Sequence, residues 1–428
     1  MIDQKYHQTI RQLSDRIVQA QRPIRILDAL KWDAEVERRF FEQGCKELPQ
    51  VQGPDYYAKR PLKFDPDKKI EEFNQIERDI RRELGNFNSV GLIMQRMCRE
   101  YCVVVELLKA RGTPHFSRYS EQLYGSSSDA FYSGAPTLKD LAVLISETLL
   151  SIKDQTNSTR DIKRYTTIDA VNILNERLCV YFCDTEAQTR VKASDDIIAD
   201  AAAGAECIKL RNNTTFSDRD LQLLEVHEGW VHLATTINGL KQPICTFLSK
   251  GPPSSTITQE GLAITAEIFS FSSHPARIQH LTNRITAVHM VENGADFLEL
   301  FRFFQSQGLS MEESYAPTVR VFRGSVVEGK PFTKDLVYTK GFVLIYNYIR
   351  LAIQQGLLSR IPLLFVGKTT LEDLHVLHDL MEEGLIKVPE HIPPQFADLA
   401  SLSAWMCYSL FLNQLDLKRL ASEYKNIL

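Results

Sequence analysis

Two histidines that flank a glutamate, with a second glutamate downstream, are the residues of this sequence best suited to carry out chemistry. The string HEGWVH at positions 227–232 sets two imidazoles five residues apart, and Glu260 follows 28 residues after the second one. Two histidines and one carboxylate are a recurring ligand set of catalytic zinc, which keeps its fourth position open for water. We therefore predict one Zn²⁺ ion, bound by His227, His232 and Glu260.

The spacing of the two histidines constrains the helix that carries them. On a regular α-helix, five residues turn a side chain through roughly 500°, which leaves the two rings about 140° apart and unable to share a metal. A single π-type turn brings residues five apart onto one face, and such turns tend to occur at functional sites. We predict a widened turn over residues 228–231, with Gly229 where close approach of the backbone costs least. Ser217 is the expected cap at the start of this helix.

A glutamate that neighbours a zinc ligand in sequence, without being a ligand itself, can act as the general base of hydrolysis. In that role Glu228 takes a proton from the water that attacks the scissile carbonyl and passes it to the leaving amine. Zinc assists because it lowers the pKa of water to about 7. One of His274, His280 and His289 could orient a zinc ligand through a second hydrogen bond. Two ordinary helix histidines are the alternative, and they leave Glu260 unexplained.

Several short motifs around this string occur in one order and carry a resemblance to a known family. They are Phe216-Ser217 with Asp220; His227-Glu228 and His232; Asn238 with Gln242-Pro243; Thr258 with Glu260-Gly261-Leu262-Ala263; Arg320 with Arg323-Gly324; Phe332-Thr333-Lys334-Asp335 with Val337-Tyr338; and Gly367-Lys368 with Glu372-Asp373. Together they resemble the QEGLA-motif family, a group once known only as a domain of unknown function. The group includes the microtubule-associated tyrosine carboxypeptidases, and the resemblance covers roughly residues 160 to 390.

The resemblance implies a role for each residue of the central string. His227, His232 and Glu260 fall on the zinc ligands of the family, and Glu228 falls on its general base. Gln259 departs from the glutamate that the tubulin enzymes tend to have there, but it only precedes a ligand and leaves the metal assignment intact. The implied activity is that of a zinc metallopeptidase, above all a carboxypeptidase that removes one C-terminal residue. An aromatic, tyrosine-like residue is one candidate.

The expected partner is the C-terminus of a peptide or protein. The long basic N-terminal region of the microtubule-binding members is missing from this sequence, which argues against tubulin as the substrate. Two alternatives stay open, namely a catalytically silent regulatory protein that binds zinc and a hydrolase of non-peptide amides. The presence of Glu228 argues against the first alternative, because a purely structural zinc ion needs no base.

A second group of polar residues, which the resemblance sets near the metal, consists of Arg320, Arg323, Lys334 and Tyr338. Arginine binds a terminal carboxylate through two parallel charge-assisted hydrogen bonds, and tyrosine can donate to an oxyanion. We predict that Arg320 or Arg323 binds the substrate carboxylate, that Lys334 also contributes to substrate binding, and that Tyr338 supports the oxyanion. The alternative is that the arginines form ion pairs with acidic neighbours such as Asp335 and that the tyrosine is merely packed.

Composition narrows the class of protein and its location. With 428 residues, 44% apolar and 24% charged, the chain resembles an ordinary soluble protein with ample core. A net charge of -4 and a pI near 6.2 give no reason to expect nucleic acid as a partner. The eight cysteines are scattered, which favours reduced thiols and a cytoplasmic location. No stretch has the character of a signal peptide or a membrane span, so no membrane contact is expected.

The elements that must position these residues are mostly helices. The predicted fold class is α+β and predominantly helical: a zinc-peptidase-like catalytic domain with a helix-borne HExxxH motif and a small sheet, at residues 160–428, preceded by an N-terminal helical region at residues 1–159. Helices are predicted at residues 8–20, 34–42, 69–84, 90–110, 138–156, 170–178, 197–203 and 259–271, and strands at 179–183, 189–193 and 208–211. The segment 111–134 is predicted to be a turn-rich connection or lid. The strand at 208–211 is the candidate edge strand for an extended substrate.

Overall fold

Helices form the described part of the chain before residue 153. The computed structural model describes residues 2–51, 53–152, 161–182, 190–195, 201–204 and 207–425. The first eight helices are α1 (Ile2–Gln21), α2 (Ile26–Leu30), α3 (Ala34–Glu42), α4 (Gly53–Ala58), α5 (Pro66–Leu84), α6 (Ser89–Lys109), α7 (Pro114–Tyr124) and α8 (Leu138–Ile152). In α5, Asp65 caps the free amides at the start, and the stripe Phe73, Ile76 and Ile80 is buried. The predicted helical character of this region is confirmed.

The segment 111–134 is more ordered than its glycines and prolines suggested. It contains α7, so the prediction of a turn-rich connection or lid was wrong for residues 114–124. Pro114 and Gly125 are the first residue and the C-cap of this helix. Proline is tolerated at the first helical position and glycine suits a helix end, so both residues mark boundaries here. Phe116 and Tyr124 anchor α7 in the core.

The rest of the chain is also mainly helical. Its helices are α9 (Thr167–Tyr181), α10 (Asp218–Leu224), a π-helix (Glu225–Leu233), α11 (Ala234–Leu240), α12 (Pro253–Phe269), α13 (Pro275–Glu292), α14 (Phe297–Ser306), α15 (Met311–Phe322), α16 (Val337–Gln354), α17 (Leu374–Glu382), α18 (Pro394–Ala397), α19 (Leu399–Leu412) and α20 (Leu417–Glu423). Short 3-10 turns lie at Thr246–Ser249, Thr333–Leu336, Leu358–Arg360, Pro362–Phe365 and Leu371–Asp373. The predominantly helical fold class is confirmed.

Two small sheets lie beside the π-helix. The strands are β1 (Tyr165–Thr166), β2 (Val191–Ser194), β3 (Ala201–Ala203), β4 (Ile208–Arg211) and β5 (Thr215–Phe216). β1 pairs antiparallel with β5, and the other sheet has the order β2-β4-β3, in which β4 runs parallel to β2 and antiparallel to β3. Because β4 is paired on both sides, it has no free edge for an extended substrate. The predicted edge-strand role of residues 208–211 was therefore wrong, although the strand itself is confirmed.

Two local predictions around this sheet were also wrong. Residues 179–181 continue α9, and the predicted strand at 179–183 is absent from its described part, while Cys183 lies outside the described residues. Leu174, Leu178 and Phe182 are all buried at four-residue steps, and this helical period outweighs the β-rich composition. Residues 201–203 form β3 instead of a helix, because pairing with β4 overrides the helix preference of alanine. Residues 197–200 of that predicted helix lie outside the described part.

The helix that carries the two histidines is built from three continuous pieces. α10 begins with a capping box, in which the Ser217 side chain accepts from the amide of Asp220 while the Asp220 carboxylate accepts from the amide of Ser217. The π-helix follows directly and passes into α11. The predicted widened turn is confirmed, and it extends over nine residues, well beyond the predicted 228–231. The predicted Ser217 cap is confirmed as well.

Helix α12, which carries Glu260, packs unusually closely against α16. A Cβ added to Gly261 would lie 2.3 Å from the backbone of Gly341, and a Cβ on Gly341 would lie 2.1 Å from the carbonyl oxygen of Ile257. Only glycine permits this approach of two backbones. α12 starts at Pro253, six residues before the predicted start, because proline is tolerated at the first position of a helix. The Gly-Leu-Ala part of the motif is therefore a packing surface.

The largest hydrophobic core joins distant parts of the sequence. It contains Ile17 of α1, Met94 of α6, Leu262 of α12 and Ile349 of α16, all almost fully buried. A second core surrounds Phe40, Phe297 and Phe301, and a third lies between α9, the small sheet and the π-helix. Residues from both sides of position 160 thus share one core. The predicted boundary falls among residues 153–160, which lie outside the described part of the chain.

Two expectations from composition concern thiols and membranes. The seven described cysteines form no disulfide. Throughout the described residues, every helix is either too short or too polar to traverse a lipid bilayer.

Candidate metal centre

The ligand atoms of His227, His232 and Glu260 form a nearly equilateral triangle. Nε2 of His227 lies 3.2 Å from Nε2 of His232, and Oε2 of Glu260 lies 3.4 Å and 3.5 Å from these two nitrogens. The π-helix makes this possible, because it turns residues 227 and 232 onto one face, where their rings meet edge to face. α12 brings Glu260 from the opposite side. Among the described residues, this group alone could hold a metal ion.

The size of the triangle fits a tetrahedral metal. With metal–ligand bonds of about 2.0–2.1 Å, tetrahedral ligand atoms lie about 3.3 Å from one another. The edges of 3.2, 3.4 and 3.5 Å bracket this value. Oε2 of Glu260 is buried without a hydrogen-bond partner, which is costly for a carboxylate oxygen unless a cation binds it. The residues present therefore fit a divalent ion in the centre of the triangle.

Electrostatics at the triangle lead to the same conclusion. Burial alone would raise the pKa of Glu260, but the two imidazoles hold it well below its ordinary value. Burial would likewise lower the pKa of His227, but the carboxylates of Glu260 and Glu267 raise it to about 10. The acidic groups at this point thus favour a positive charge between the three side chains. A bound metal ion supplies that charge, and ligand protons leave when it binds.

Glu267 orients the first histidine. Its Oε1 lies 2.6 Å from Nδ1 of His227, and its side chain is completely buried. Arg277 of α13 donates from Nη2 and Nε to the two oxygens of Glu267, at 2.9 and 3.2 Å. With Nδ1–H directed at Glu267, the imidazole presents Nε2 to the metal, as metal-binding histidines commonly do. The orienting group is a glutamate, so the expectation that His274, His280 or His289 has this role was wrong for His227.

Lys368 ties the π-helix to α12. Its Nζ donates to the carbonyl of His232, to Oγ1 of Thr235 and to Oε1 of Gln259, each at 2.9 Å. Burial lowers the pKa of Lys368 to about 7, although Glu260 and Glu228 partly oppose this effect. One ammonium group therefore fixes the backbone at the second histidine relative to the residue before Glu260. This structural task explains why Gly367-Lys368 belongs to the motif set.

Arg320, Arg323, Tyr338 and Lys334 differ in their surroundings. Arg320 donates two hydrogen bonds of 2.8 and 2.7 Å to Asp335. This is the ion pair with an acidic neighbour that the sequence analysis gave as the alternative to substrate binding. Arg323 is 7% exposed, and within the described chain no carboxylate lies at ion-pair distance from it. Lys334 is half-buried and makes no side-chain hydrogen bond or ion pair with a described residue.

Tyr338 lies beside the arginines of α13. Its ring is half-buried, and the guanidinium of Arg284 lies 4.3 Å above the ring centroid. Burial lowers the pKa of Arg277, but Glu267, Tyr338 and Glu260 act against it and raise the pKa above its ordinary value. Arg277 is thus close to both the metal ligand and the tyrosine. Tyr338 and Glu260 thus both act on Arg277, and the oxyanion role of Tyr338 stays a prediction.

The comparison with known protein families covers nearly the whole chain. The model of the microtubule-associated tyrosine carboxypeptidase family matches residues 38–414. The chain belongs to this family. Membership confirms the resemblance drawn from the short motifs and implies a carboxypeptidase, and hence a peptide or protein as substrate. A comparison with curated individual proteins returned no match.

Within the family motifs, Asn238 and Gln242 have structural tasks. Nδ2 of Asn238 donates to the carbonyls of Phe365 and His391, and its Oδ1 accepts from the amide of His391. Gln242 accepts from the amide of Lys387 in the same way. These side chains bind the end of the histidine helix to the segment that carries Lys368. The carboxypeptidase motifs are therefore largely the supports of the metal triangle.

The sequence analysis missed three residues of this site: Glu267, Arg277 and Arg284. Glu267 follows Glu260 by seven residues on the same helix, which places it on the same face two turns later. That spacing was a usable signal. Arg277 and Arg284 are also seven apart, but a pair of arginines on a helix is more often a solvated face, and nothing in the sequence indicates burial.

Proposed function

We propose that this chain is a zinc-dependent carboxypeptidase that removes one residue from the C-terminus of a peptide or protein. The observation that carries the proposal is the triangle of His227, His232 and Glu260, whose edges of 3.2–3.5 Å suit a tetrahedral ion. Family membership supports the carboxypeptidase class. Two histidines and one carboxylate leave a fourth position for water, as in zinc peptidases. When bound, zinc supplies the Lewis acidity that makes water nucleophilic near neutral pH.

The proposed reaction assigns separate steps to separate side chains. Glu228, next to His227 on the π-helix and half-buried, receives the proton of the attacking water and delivers it to the leaving amine. Glu267 keeps the His227 ring in the orientation that presents Nε2 to the ion. Tyr338 donates to the oxyanion that forms on the scissile carbonyl. An arginine of the Arg320–Arg323 segment binds the terminal carboxylate of the substrate, which belongs to the residue that is removed, and Lys334 contributes to substrate binding.

The substrate proposed first is a chain that ends in an aromatic residue, with tyrosine as the leading candidate. This choice rests on the family description, which names tyrosine as the residue removed and microtubules as the structure bound. Tubulin, which the sequence analysis disfavours, is tested as a separate substrate. A cytoplasmic location and the division into residues 1–159 and 160–428 remain parts of the same proposal.

The test compares the purified protein with the Glu228→Gln variant. Bound metal is measured by mass spectrometry, and hydrolysis is followed on peptides that differ only in their last residue, with polymerised tubulin as a separate arm. We expect about one zinc ion per chain in both proteins, and a loss of at least about 100-fold in kcat/KM for the variant. Zinc in both proteins with equal, negligible hydrolysis would instead establish a silent zinc protein. Cleavage of amides without regard to a C-terminal residue would establish the non-peptide hydrolase.

A further inference from the structure

Two arginines, Arg284 and Arg323, form no ion pair with any described residue. Nε and Nη1 of Arg284 are buried and have no hydrogen-bond partner, and Nε of Arg323 is in the same state. Within the described chain, no carboxylate lies at ion-pair distance from either guanidinium. A buried charge without a partner is costly, so native proteins usually pair such groups or hold them for a ligand.

The neighbouring arginines show what a structural arginine looks like here. Arg277 is paired with Glu267, and Arg320 is paired with Asp335 through two hydrogen bonds. The four guanidiniums thus share two carboxylates, which leaves two positive charges without compensation. Both uncompensated charges belong to Arg284 and Arg323. A purely structural network would have neutralised them.

The position of Arg284 links it to the metal centre. Arg277 and Arg284 lie seven residues apart on α13, which puts them on one face two turns apart. Arg277 contacts Glu267, the carboxylate that orients His227, while Arg284 lies over the ring of Tyr338. The same face of α13 therefore carries both Arg277, which holds the carboxylate that orients His227, and Arg284, which has no ion-pair partner. An anion held at the far end would lie beside Tyr338.

We propose that Arg284 and Arg323 form the pocket for the C-terminal carboxylate of the substrate, with the Arg320–Asp335 pair as a fixed wall. This inference rests on the proposed carboxypeptidase function and names the residues that select a free C-terminus. It moves the carboxylate site away from Arg320, whose fork is occupied by Asp335. It also adds Arg284, which no sequence motif indicated.

The chemistry of the two side chains fits a carboxylate. The planar guanidinium fork matches the two oxygens of a carboxylate and holds it with charge-assisted hydrogen bonds. Burial and the charge of Arg320 lower the pKa of Arg284, and the same two causes lower the pKa of Arg323 to about 10. A bound anion would remove this strain on both groups. The geometry and the missing partners carry the inference, and the direction of these shifts agrees with it.

The first test measures binding, independently of turnover. N-acetyl amino acids with aromatic, aliphatic and acidic side chains, and the corresponding N-acetyl amino acid amides, are titrated calorimetrically into the zinc-loaded Glu228→Gln protein. We expect the carboxylate of at least one pair to bind more tightly than its amide. Adding Arg284→Gln should weaken carboxylate binding about 100-fold and leave amide binding unchanged. The matched control is Arg302→Gln, at an exposed arginine of α14.

The second readout is thermal stability, which separates a ligand site from a structural role. Removing an uncompensated buried charge should leave the melting temperature of Arg284→Gln unchanged or raise it. Arg284→Lys keeps the charge but loses the fork, so its carboxylate affinity should lie between those of the parent and Arg284→Gln. A lower melting temperature together with an unchanged preference for carboxylates would overturn the inference. So would equal binding of every carboxylate and its amide, or tighter binding of inorganic phosphate than of any carboxylate.

The two proposals fail in different ways. If hydrolysis is absent but carboxylate binding depends on Arg284, only the peptidase function is wrong. If peptides are cleaved equally with carboxylate and carboxamide ends, and Arg284→Gln does not change this ratio, only the carboxylate pocket is wrong.

Discussion

The candidate metal centre and the proposed arginine pocket have opposite electrostatic needs. At the first end, the oxygen of Glu260 is buried without a hydrogen-bond partner, and acidic neighbours raise the pKa of His227. At the second end, Arg323 is buried and Arg284 is half-buried, and among the described residues no carboxylate lies at ion-pair distance from either guanidinium. The first end favours a cation and the second favours an anion. The Glu267–Arg277 pair stands between them and is fully satisfied.

This difference separates binding groups from supporting groups in the absence of any ligand. Lys368, Asn238 and Arg320 are polar, buried to a large extent and fully engaged with partners, so their task is to hold the fold. One oxygen of Glu260 and two nitrogens of Arg284 lack hydrogen-bond partners in similarly enclosed positions. Such groups do not stabilise the fold, because a buried charged group without a partner destabilises the native state. The comparison therefore predicts that substitutions at the two kinds of residue affect stability and binding differently.

The largest effect is expected from removal of a metal ligand. His232→Ala should weaken zinc binding about 1,000-fold, because one of three protein ligands is lost. The dissociation constant is measured by competition with a chromophoric chelator. The control is His375→Ala, at an exposed histidine in the first turn of α17. Equal zinc affinity of both variants would show that the triangle is not the metal site.

The next effect concerns a supporting group of the arginine pocket. Asp335→Asn leaves Arg320 without its partner. The side chains of Asp335 and Arg320 are only 5% and 23% exposed, so the free energy of unfolding should fall by about 3 kcal/mol. The control Asp129→Asn breaks the more exposed pair with Lys340 and should cost less than about 1 kcal/mol. Both free energies of unfolding are measured by chemical denaturation. Similar losses for the two variants would remove the distinction between the buried pair and the exposed one.

The same pair predicts a dependence of stability on pH. Burial would raise the pKa of Asp335, but Arg320 and its neighbours hold it far below its ordinary value of 3.8. A carboxyl whose pKa is lowered on folding stabilises the protein above its ordinary pKa, and this contribution is lost as the pH falls below it. Below about pH 4, the wild-type protein should therefore lose stability more steeply than Asp335→Asn. Parallel curves of melting temperature against pH would contradict the assignment.

A smaller effect is expected from the group that joins the two ends. Glu267→Gln keeps an acceptor for Nδ1 of His227 but removes the charge, and zinc affinity should fall about 10- to 100-fold. Arg277 loses its partner at the same time and becomes a third uncompensated guanidinium, so carboxylate binding should tighten or stay the same. Zinc competition and calorimetry on one preparation measure both quantities. A simultaneous loss of zinc and carboxylate binding would show that the two ends are not separable.

How far the sequence predicts this site depends on whether a requirement is local. The five-residue spacing of the histidines demands a π-turn, and the structure has one, because the constraint lies within one helix. Glu260 was predicted as the third ligand from the motif in which it lies. The packing of α12 against α16 through Gly261 and Gly341 could not be predicted from the sequence, because it depends on two backbone segments that are 80 residues apart. The central place of β4 likewise depends on partners that composition does not identify.

The arginines illustrate the same limit from the side of electrostatics. Arg320 and Arg323 have the same side chain and lie in one motif. Asp335 neutralises Arg320, whereas Arg323 has no carboxylate partner among the described residues. Which of them is available to a ligand follows from packing alone. Arg284 carried no motif signal, although its unpaired guanidinium is among the clearest features of the folded site.

The smallest effect is expected at Gln259, where this chain differs from the tubulin enzymes. Its Oε1 accepts from Lys368 and Thr235, and its Nε2 lies 3.5 Å from the carbonyl of Gly367. In Gln259→Glu the new charge faces the ammonium of Lys368, while its second oxygen approaches a carbonyl oxygen. The two changes oppose each other, so zinc affinity should change less than about threefold and stability by less than about 1 kcal/mol. Lys368→Met added to Gln259→Glu removes the compensating positive charge, so the destabilising effect of the new glutamate should then be measurable. A change above tenfold in zinc affinity for Gln259→Glu alone would mean that this position tunes the metal and is more than a support.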